Sequence, residues 1–155
     1  GLPQRIIQIG FAGSYQAQYP PGTMVEVVNE NFGDVGMDDN GVFIPIEKAL
    51  PNYAEAYVLK PTSPMTGFPT VKGITLNTVS GSSQVIEKVK ATWSPDVESM
   101  EGGAAQAFCQ RKGIVFNQIR CISNWVEPRN KDAWKLTIAA DNLSSWLSNY
   151  LKETL

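Results

Sequence analysis

Residues 94–113 read SPDVESMEGGAAQAFCQRKG and predict, in direct succession, a short strand, an acidic turn and a helix. The helix starts at two glycines, Gly102 and Gly103, and ends at Gly113, a residue type that commonly follows a helix. Glycine is about 1 kcal/mol less favourable than alanine in a helix, so the pair needs a physical reason. Either the glycines let a backbone or a ligand approach the helix start closely, or they form a tightly packed structural turn. The residues alone leave both explanations open.

Apolar runs and helical patterns alternate on both sides of this stretch. The predicted strands are RIIQIGFAGS (5–14), GTMVEVVNE (22–30), VKGITLNTVSG (71–81), DVES (96–99) and IVFNQIRCIS (114–123). The other predicted helices are SQVIEKVKATW (83–93) and a final helix that starts at Lys131, is capped by Asn130 and carries an apolar stripe in residues 138–151. This alternation favours an α/β fold with a mixed, largely parallel sheet flanked by helices, in which ligands bind beyond the carboxyl ends of strands.

Two segments are predicted to be irregular. NFGDVGMDDNG (31–41) is rich in glycine and aspartate and is interpreted as a loop. Residues 49–69 contain several prolines, which predicts a long excursion with at most one short helix around Ala54. No linker or change of composition divides the sequence, so residues 1–155 are predicted to form a single domain.

The composition argues against several classes of protein. Charged residues make up 18% of the 155 residues and the formal net charge is −2, so a broad basic surface for nucleic acid is not expected. No segment is long and apolar enough to predict a membrane span.

The sequence contains no histidine, which removes Ser-His and Cys-His catalysis and the common zinc sites; neither a metal nor a cofactor is expected. Cys109 and Cys121 lie among apolar residues and are expected to be reduced and buried, as in a cytoplasmic protein.

Several motifs, in the right order, resemble the nucleoside phosphorylase and nucleosidase superfamily. VESMEGGAAQAFCQRKGIVFNQIRCISN (97–124) is similar to the family's Met-Glu-(Gly/Ala)-Ala-Ala helix start, followed by a strand of the type (Ile/Val)-Arg-x-(Ile/Val)-Ser-(Asp/Asn). IIQIGFAGS (6–14) is similar to the family's glycine-rich strand end. QIRCISNWVEPRNKDAW (118–134) is closest to the branch that includes futalosine hydrolase. The resemblance spans nearly the whole chain.

The resemblance implies roles for individual residues. Glu101 matches the glutamate that binds the ribose hydroxyls, Met100 the methionine that packs against the sugar, and Asn124 the Asp or Asn that faces the purine. Glu101 and Asn124 are therefore the candidate catalytic residues. The candidate substrate-binding residues are Phe11, Ala12, Gly13, Met100, Glu101, Asn124 and Trp125. Residues 80–82 match, more loosely, the segment that lies beside the base.

The residue type at position 124 bears on the leaving base. An Asn offers one acceptor oxygen and two donor hydrogens but no acidic proton, so Asn124 suits a 6-oxopurine that is protonated at N7. Asn also pairs with the N6/N7 edge of adenine, so an adenine-type base stays open.

Three charged side chains near these motifs carry weaker hypotheses. Glu98 is expected to make a structural bond rather than to share a hydroxyl of the ligand. Arg120, in the middle of a strand, is expected to pair with a carboxylate because a buried charge needs a partner. Arg129 is a weak ligand candidate.

The expected function is that of a nucleosidase acting on a 6-oxopurine nucleoside. The resemblance implies hydrolysis of futalosine to hypoxanthine and dehypoxanthinyl futalosine, a step of menaquinone biosynthesis, by a cytoplasmic homo-oligomer whose only other partner is the nucleoside. The alternatives are a nucleosidase for methylthioadenosine or adenosylhomocysteine, a purine nucleoside phosphorylase, and a catalytically silent nucleoside-binding fragment. The chain starts near the IGFAG motif, so about the first third of the family domain, with its water-activating acid, is expected to lie outside this sequence.

Overall fold

A computed structural model describes residues 1–154. Its strands are β1 (Arg5–Ser14), β2 (Met24–Phe32), β3 (Gly36–Asp39), β4 (Val42–Pro45), β5 (Thr70–Thr75), β6 (Val97–Ser99) and β7 (Val115–Trp125). Its α-helices are α1 (Ile46–Ala49), α2 (Ser83–Trp93), α3 (Gly102–Lys112) and α4 (Leu136–Thr154), with short 3-10 helices at Pro51–Ala56 and Lys131–Ala133. The strands and helices predicted from the sequence are therefore present, with shifts of a few residues at their ends.

Five strands form one closed sheet in the order β1-β6-β5-β2-β7. The pairs β1–β7, β2–β5 and β5–β6 are parallel, whereas β1–β6 and β2–β7 are antiparallel. The prediction of a mixed, largely parallel sheet flanked by helices is confirmed. Closure was not predicted, and it follows from the pairing of β1 with both β6 and β7. An apolar cluster at the core takes at least one residue from every strand of this sheet: Ala12, Val25, Val27, Val71, Val97 and Ile122.

The segment interpreted as a loop in residues 31–41 is instead partly regular. β2 continues to Phe32, and β3 and β4 pair as an antiparallel hairpin. Asn40 and Gly41 turn the hairpin, with φ values of 51° and 87°. An Asn-Gly pair favours this kind of two-residue turn because both positions need a positive φ, so the prediction of a loop was wrong for a reason that is visible in the sequence.

The final helix begins five residues later than predicted. Lys131–Ala133 forms a separate 3-10 turn, and Asn130 makes no side-chain capping bond to it. Trp134 is extended, and the Lys135 amide donates to the Ser123 carbonyl over 2.7 Å, which holds this segment on β7. The helix can start only after that contact, at Leu136. Of the predicted apolar stripe, only Ala139 and Leu143 are buried, while Ile138 and Leu151 are exposed.

The long excursion in residues 49–69 has only short helical turns, as predicted. It is held to the sheet by Glu26, a fully buried carboxylate on β2. This carboxylate accepts hydrogen bonds from the amides of Met65 and Thr66 and from the Thr66 hydroxyl.

Cys109 and Cys121 are free and buried, as predicted. None of the helices in residues 1–154 is both long and apolar enough to cross a membrane.

Candidate active site

A cavity of about 150 Å³ opens where β1, β6 and β7 end and α3 begins. It is lined by Phe11, Ala12, Gly13, Leu76, Val79, Glu98, Ser99, Met100, Glu101, Ser123, Asn124 and Trp134. Pockets that enclose a whole small ligand usually measure about 300–1,000 Å³. These residues therefore cover only part of a ligand of nucleoside size.

Gly13 occupies the point where three of these elements meet. It pairs with Glu98 on β6 and with Asn124 on β7. A methyl group at this position would lie 2.9 Å from a Val126 methyl and 3.2 Å from the Asn124 side-chain nitrogen. The missing side chain keeps this corner of the cavity open.

A bulge in β7 aims two consecutive side chains into the cavity. The register between β1 and β7 shifts between Ala12, which pairs with Ile122, and Gly13, which pairs with Asn124. Ser123 is the extra residue. Neighbours in a regular strand point to opposite faces, so Ser123 and Asn124 share the cavity only because of the bulge. Ser123 was not among the predicted site residues, and a regular strand would point it away from the face that carries Asn124.

Glu101 lines the cavity, and its carboxylate forms a salt bridge with Arg120. Its Oε2 lies 3.1 Å from Nη1 of Arg120, and the two side chains are 61% and 2% exposed, respectively. Burial lowers the pKa of Arg120 from its ordinary value, and the Glu101 carboxylate opposes this effect. The expectation that Arg120 pairs with a carboxylate is confirmed. An exposed carboxylate held by a buried cation is free to accept hydrogen bonds from a ligand on its other side.

Glu98 also lines the cavity, but both of its oxygens already have partners. The Tyr15 hydroxyl donates to Oε2 over 2.5 Å and the Ser80 amide donates to Oε1 over 3.1 Å. Burial, and then the neighbouring Glu98 carboxylate, raise the pKa of Tyr15, so its hydroxyl keeps its proton and donates it. Glu98 thereby ties the end of β1 to the turn at residues 80–82, which is the structural bond expected from the sequence.

Asn124 is 8% exposed, and its amide is oriented by two neighbours. The Ser123 hydroxyl donates to Oδ1 over 2.7 Å, and Nδ2 donates to the Trp125 carbonyl over 2.8 Å. One lone pair of Oδ1 and one hydrogen of Nδ2 remain for a ligand. The side chain can therefore present one acceptor and one donor side by side.

The two glycines that open α3 allow the helix start to touch buried polar groups. A methyl group on Gly102 would overlap the Gln118 amide oxygen and lie 2.6 Å from Oε2 of Glu30. A methyl group on Gly103 would lie 2.8 Å from the Phe32 ring. Of the two explanations left open by the sequence, the tightly packed structural turn is correct: the groups that touch the two glycines are side chains of β2 and β7, not a backbone or a ligand.

The structure brings together most of the predicted site residues and leaves some outside. Phe11, Ala12, Gly13, Met100, Glu101 and Asn124 all line the cavity. Trp125 does not, because it follows Asn124 in the strand and points away from it. Trp134 was not among the predicted site residues but lines the cavity, and Arg129 lies 5.9 Å from the centre of its ring. Nothing in the local sequence marks Trp134, which is brought in by the bond between Lys135 and Ser123.

The family model described as "Phosphorylase superfamily" matches residues 1–152 of the chain. No curated protein sequence gives a significant match. Three solved structures illustrate the similarity of fold. A 5′-methylthioadenosine/S-adenosylhomocysteine nucleosidase from Colwellia psychrerythraea, in complex with adenine, has a TM-score of 0.73 and 22% identity over 96% of this chain and 66% of its own.

The other two structures are from Helicobacter pylori. The 5′-methylthioadenosine/S-adenosylhomocysteine nucleosidase with butyl-thio-DADMe-Immucillin-A has a TM-score of 0.76 and 17% identity over 97% of this chain and 68% of its own. The native futalosine hydrolase has a TM-score of 0.71 and 17% identity over 97% of this chain and 68% of its own. The chain thus spans about two thirds of the length of the structures that it matches.

Proposed function

The chain belongs to the phosphorylase superfamily, and we propose that it acts as a nucleosidase on a 6-oxopurine nucleoside, with futalosine as the substrate. The observation that carries the proposal is the convergence of Glu101, Met100 and Asn124 on one cavity. In the reaction, water adds to C1′ of the ribosyl group, the glycosidic C–N bond breaks, and the base leaves with a proton. For futalosine the products are hypoxanthine and dehypoxanthinyl futalosine.

Glu101 is proposed to bind the vicinal hydroxyls of the sugar. Its carboxylate is largely exposed on the cavity side, and Arg120 holds it on the other side. Hydrogen bonds to a charged acceptor are about twice as strong as neutral ones. Cleavage of a glycosidic bond passes through an oxocarbenium-like transition state. A fixed carboxylate near the developing positive charge stabilises that state more than the ground state.

Met100 is proposed to pack against the sugar. Its side chain is 48% exposed and lies at the cavity next to Glu101. A flexible thioether adapts to an irregular apolar surface, such as one face of a ribose ring. Phe11, Ala12 and Gly13 complete the proposed substrate contacts on the β1 side.

Asn124 is proposed to bind the leaving base. Its free Oδ1 lone pair accepts from a protonated N7, and its free Nδ2 hydrogen donates to O6. An amide has no acidic proton to give to N7, so the pattern favours a base whose 6-oxo group accepts a hydrogen bond. The Trp125 carbonyl, which can only accept, fixes the amide in the orientation that this pairing needs.

Cleavage of a 6-aminopurine nucleoside is the second candidate. The same Asn amide, turned over, pairs with the N6/N7 edge of adenine. Two of the similar solved structures are nucleosidases for methylthioadenosine and adenosylhomocysteine. The bond from Nδ2 to the Trp125 carbonyl counts against this orientation, because turning the amide would place Oδ1 against another acceptor.

The test is a substrate panel of futalosine, inosine and methylthioadenosine, with release of free base followed by chromatography, with and without phosphate. We expect hypoxanthine from futalosine, no dependence on phosphate, and a loss of about 1.5–3 kcal/mol of ribosyl binding in Glu101→Gln, the range for a hydrogen bond to a charged group. The matched control is Glu55→Gln, which removes an exposed carboxylate from the 3-10 helix Pro51–Ala56. Nucleoside binding without cleavage would identify a binding module. Unchanged affinity in Glu101→Gln would make Glu101 a structural residue.

A further inference from the structure

A chain of buried polar side chains links Glu101 to Glu30, a carboxylate that does not line the cavity. Glu30 lies on β2 and is 3% exposed. Its Oε2 accepts from Nε2 of Gln118 over 2.7 Å, and the amide oxygen of Gln118 accepts from Nη2 of Arg120 over 2.8 Å. Arg120 then reaches Glu101 through Nη1. The order is carboxylate, amide, guanidinium, carboxylate.

Every N–H of the Arg120 guanidinium has an acceptor. Nε donates to Gln118, Nη1 to the Phe11 carbonyl and to Glu101, and Nη2 to Gln118 and to Gln8. A guanidinium has five such hydrogens in a rigid plane, so these bonds fix its direction. A change at Gln118 therefore changes how Arg120 holds Glu101.

Glu30 in turn fixes Gln118. The carboxylate accepts only, so Gln118 must turn its NH2 group to Glu30 and its oxygen to Arg120. The Thr75 hydroxyl donates to the second Glu30 oxygen over 3.2 Å and accepts from the amide of Gly103 over 2.7 Å. Glu30 is thus connected to Glu101 a second time, through the first turn of α3.

Few charged groups act on Glu30. The Arg120 cation on β7 acts on Glu30. Glu101, at the start of α3, interacts with Arg120 and not with Glu30 itself. From β5 and α3 it faces the neutral Thr75 hydroxyl and the Gly103 amide behind it. Burial raises the pKa of Glu30 from 4.5 to about 7, against the opposing effects of Gln118, Thr75 and Arg120.

We propose that Glu30 is a positioning residue for the nucleosidase reaction, and that its ionised form increases the negative charge that Glu101 presents to the sugar. This inference rests on the proposed function. With Glu30 neutral, the group formed by Glu30, Arg120 and Glu101 has a net charge of zero. With Glu30 ionised, the net charge is −1, and the Arg120 cation acts on two carboxylates, on Glu101 directly and on Glu30 through Gln118. The extra negative charge favours the positive transition state and therefore the rate.

The experiment compares the pH profiles of kcat/KM for futalosine and inosine in the wild-type chain, Glu30→Gln and Glu30→Asp. The Gln variant has no charge and keeps an acceptor for the Gln118 NH2 group, while its own NH2 group faces the Thr75 hydroxyl, which must then accept instead of donate. We expect the wild-type value to rise through about pH 7 and the Gln profile to lack this rise. At high pH the variant should be on the order of tenfold slower, which is the general size of the effect of one elementary charge over a separation of about 10 Å at an effective dielectric constant of about 20. Glu30→Asp keeps the charge and should keep the rise.

A second readout needs no substrate. The side-chain 15N and 1H signals of Arg120 should titrate near pH 7 in the wild-type chain and should not do so in Glu30→Gln. If all variants cleave futalosine with the same pH profile, the proposal for Glu30 is wrong while the proposed function stands. If the protein, including any segment that precedes Gly1, cleaves no nucleoside, the proposed function fails, and the Arg120 signals decide about Glu30. If the Arg120 signals still titrate near pH 7 in Glu30→Gln, Glu30 is not coupled to Arg120 and the proposal is overturned. If this titration disappears in the variant, the coupling is supported.

Discussion

Replacing Glu30 with glutamine should stabilise the chain at neutral pH and leave its stability nearly unchanged at low pH. The pKa of Glu30 is about 7 in the folded chain, against an ordinary value of 4.5, because the carboxylate is buried. Between these two values the folded state binds more protons at this position than the unfolded state. Stability therefore falls as the pH rises from about 4.5 to about 7, and above that range the penalty stays constant.

The size of the effect follows from the same two values. At about 1.4 kcal/mol for each pKa unit, the difference corresponds to about 3 kcal/mol. Glu30→Gln removes this penalty and keeps hydrogen-bonding groups for Gln118 and Thr75. Relative to the wild-type chain, the free energy of unfolding of the variant should be nearly unchanged at pH 4.5 and about 3 kcal/mol higher at pH 8.

The assay is urea unfolding of both chains at several pH values across this range, followed by circular dichroism. Other titrating groups contribute equally to both chains and cancel in the difference. The control is Glu87→Gln, which removes an exposed carboxylate that pairs with Lys90 on α2 and should change the stability by less than about 1 kcal/mol. A Glu30→Gln difference that is constant with pH would refute the argument, because Glu30 would then have the same protonation state in the folded and unfolded chain.

Three further outcomes are expected. Gly102→Ala should lower the free energy of unfolding by about 1–3 kcal/mol, because the overlap with Gln118 outweighs the better helix propensity of alanine; urea unfolding measures this, and an equal or higher stability would contradict the tight packing at Gly102. Thr75→Val keeps the shape but leaves the Gly103 amide without its acceptor, so it should cost about 1–3 kcal/mol in thermal unfolding, and a neutral effect would mean that the amide finds another partner. Asn124→Asp should shift the kcat/KM ratio from futalosine toward its 6-amino counterpart, because an ionised carboxylate repels O6 and a protonated one can donate to N7; an unchanged ratio would assign base selectivity to other residues.

The regular elements were predictable because their signals lie in neighbouring residues. Ser82 accepts from the Val85 amide at the start of α2, and Gly113 ends α3 with φ of +66°, as the residue types indicate. The Asn40-Gly41 pair is an equally local signal for a hairpin turn. The glycine and aspartate content of residues 31–41 led instead to the prediction of a loop. The start of α4 was predicted wrongly because the bond between Lys135 and Ser123 joins two distant elements.

The sequence by itself determined the chemical types available to the site. The absence of histidine, the acid after Met100, and Asn rather than Asp at position 124 are facts of composition and order, and they restrict the chemistry before any fold is known. The adjacency of Glu101 to a helix start was likewise encoded within a few residues.

Tertiary structure alone decided which side chains meet. The bulge that turns Ser123 into the cavity depends on the register between β1 and β7. The bond between Glu30 and Gln118 joins residues 88 positions apart, and the bond between Arg120 and the Phe11 carbonyl joins residues 109 positions apart. Such contacts form only when β7 pairs with β1 and β2 in the registers of the folded sheet. A local pattern specifies the face and the end of a strand, whereas the partner across the sheet is fixed by the free energy of the whole core.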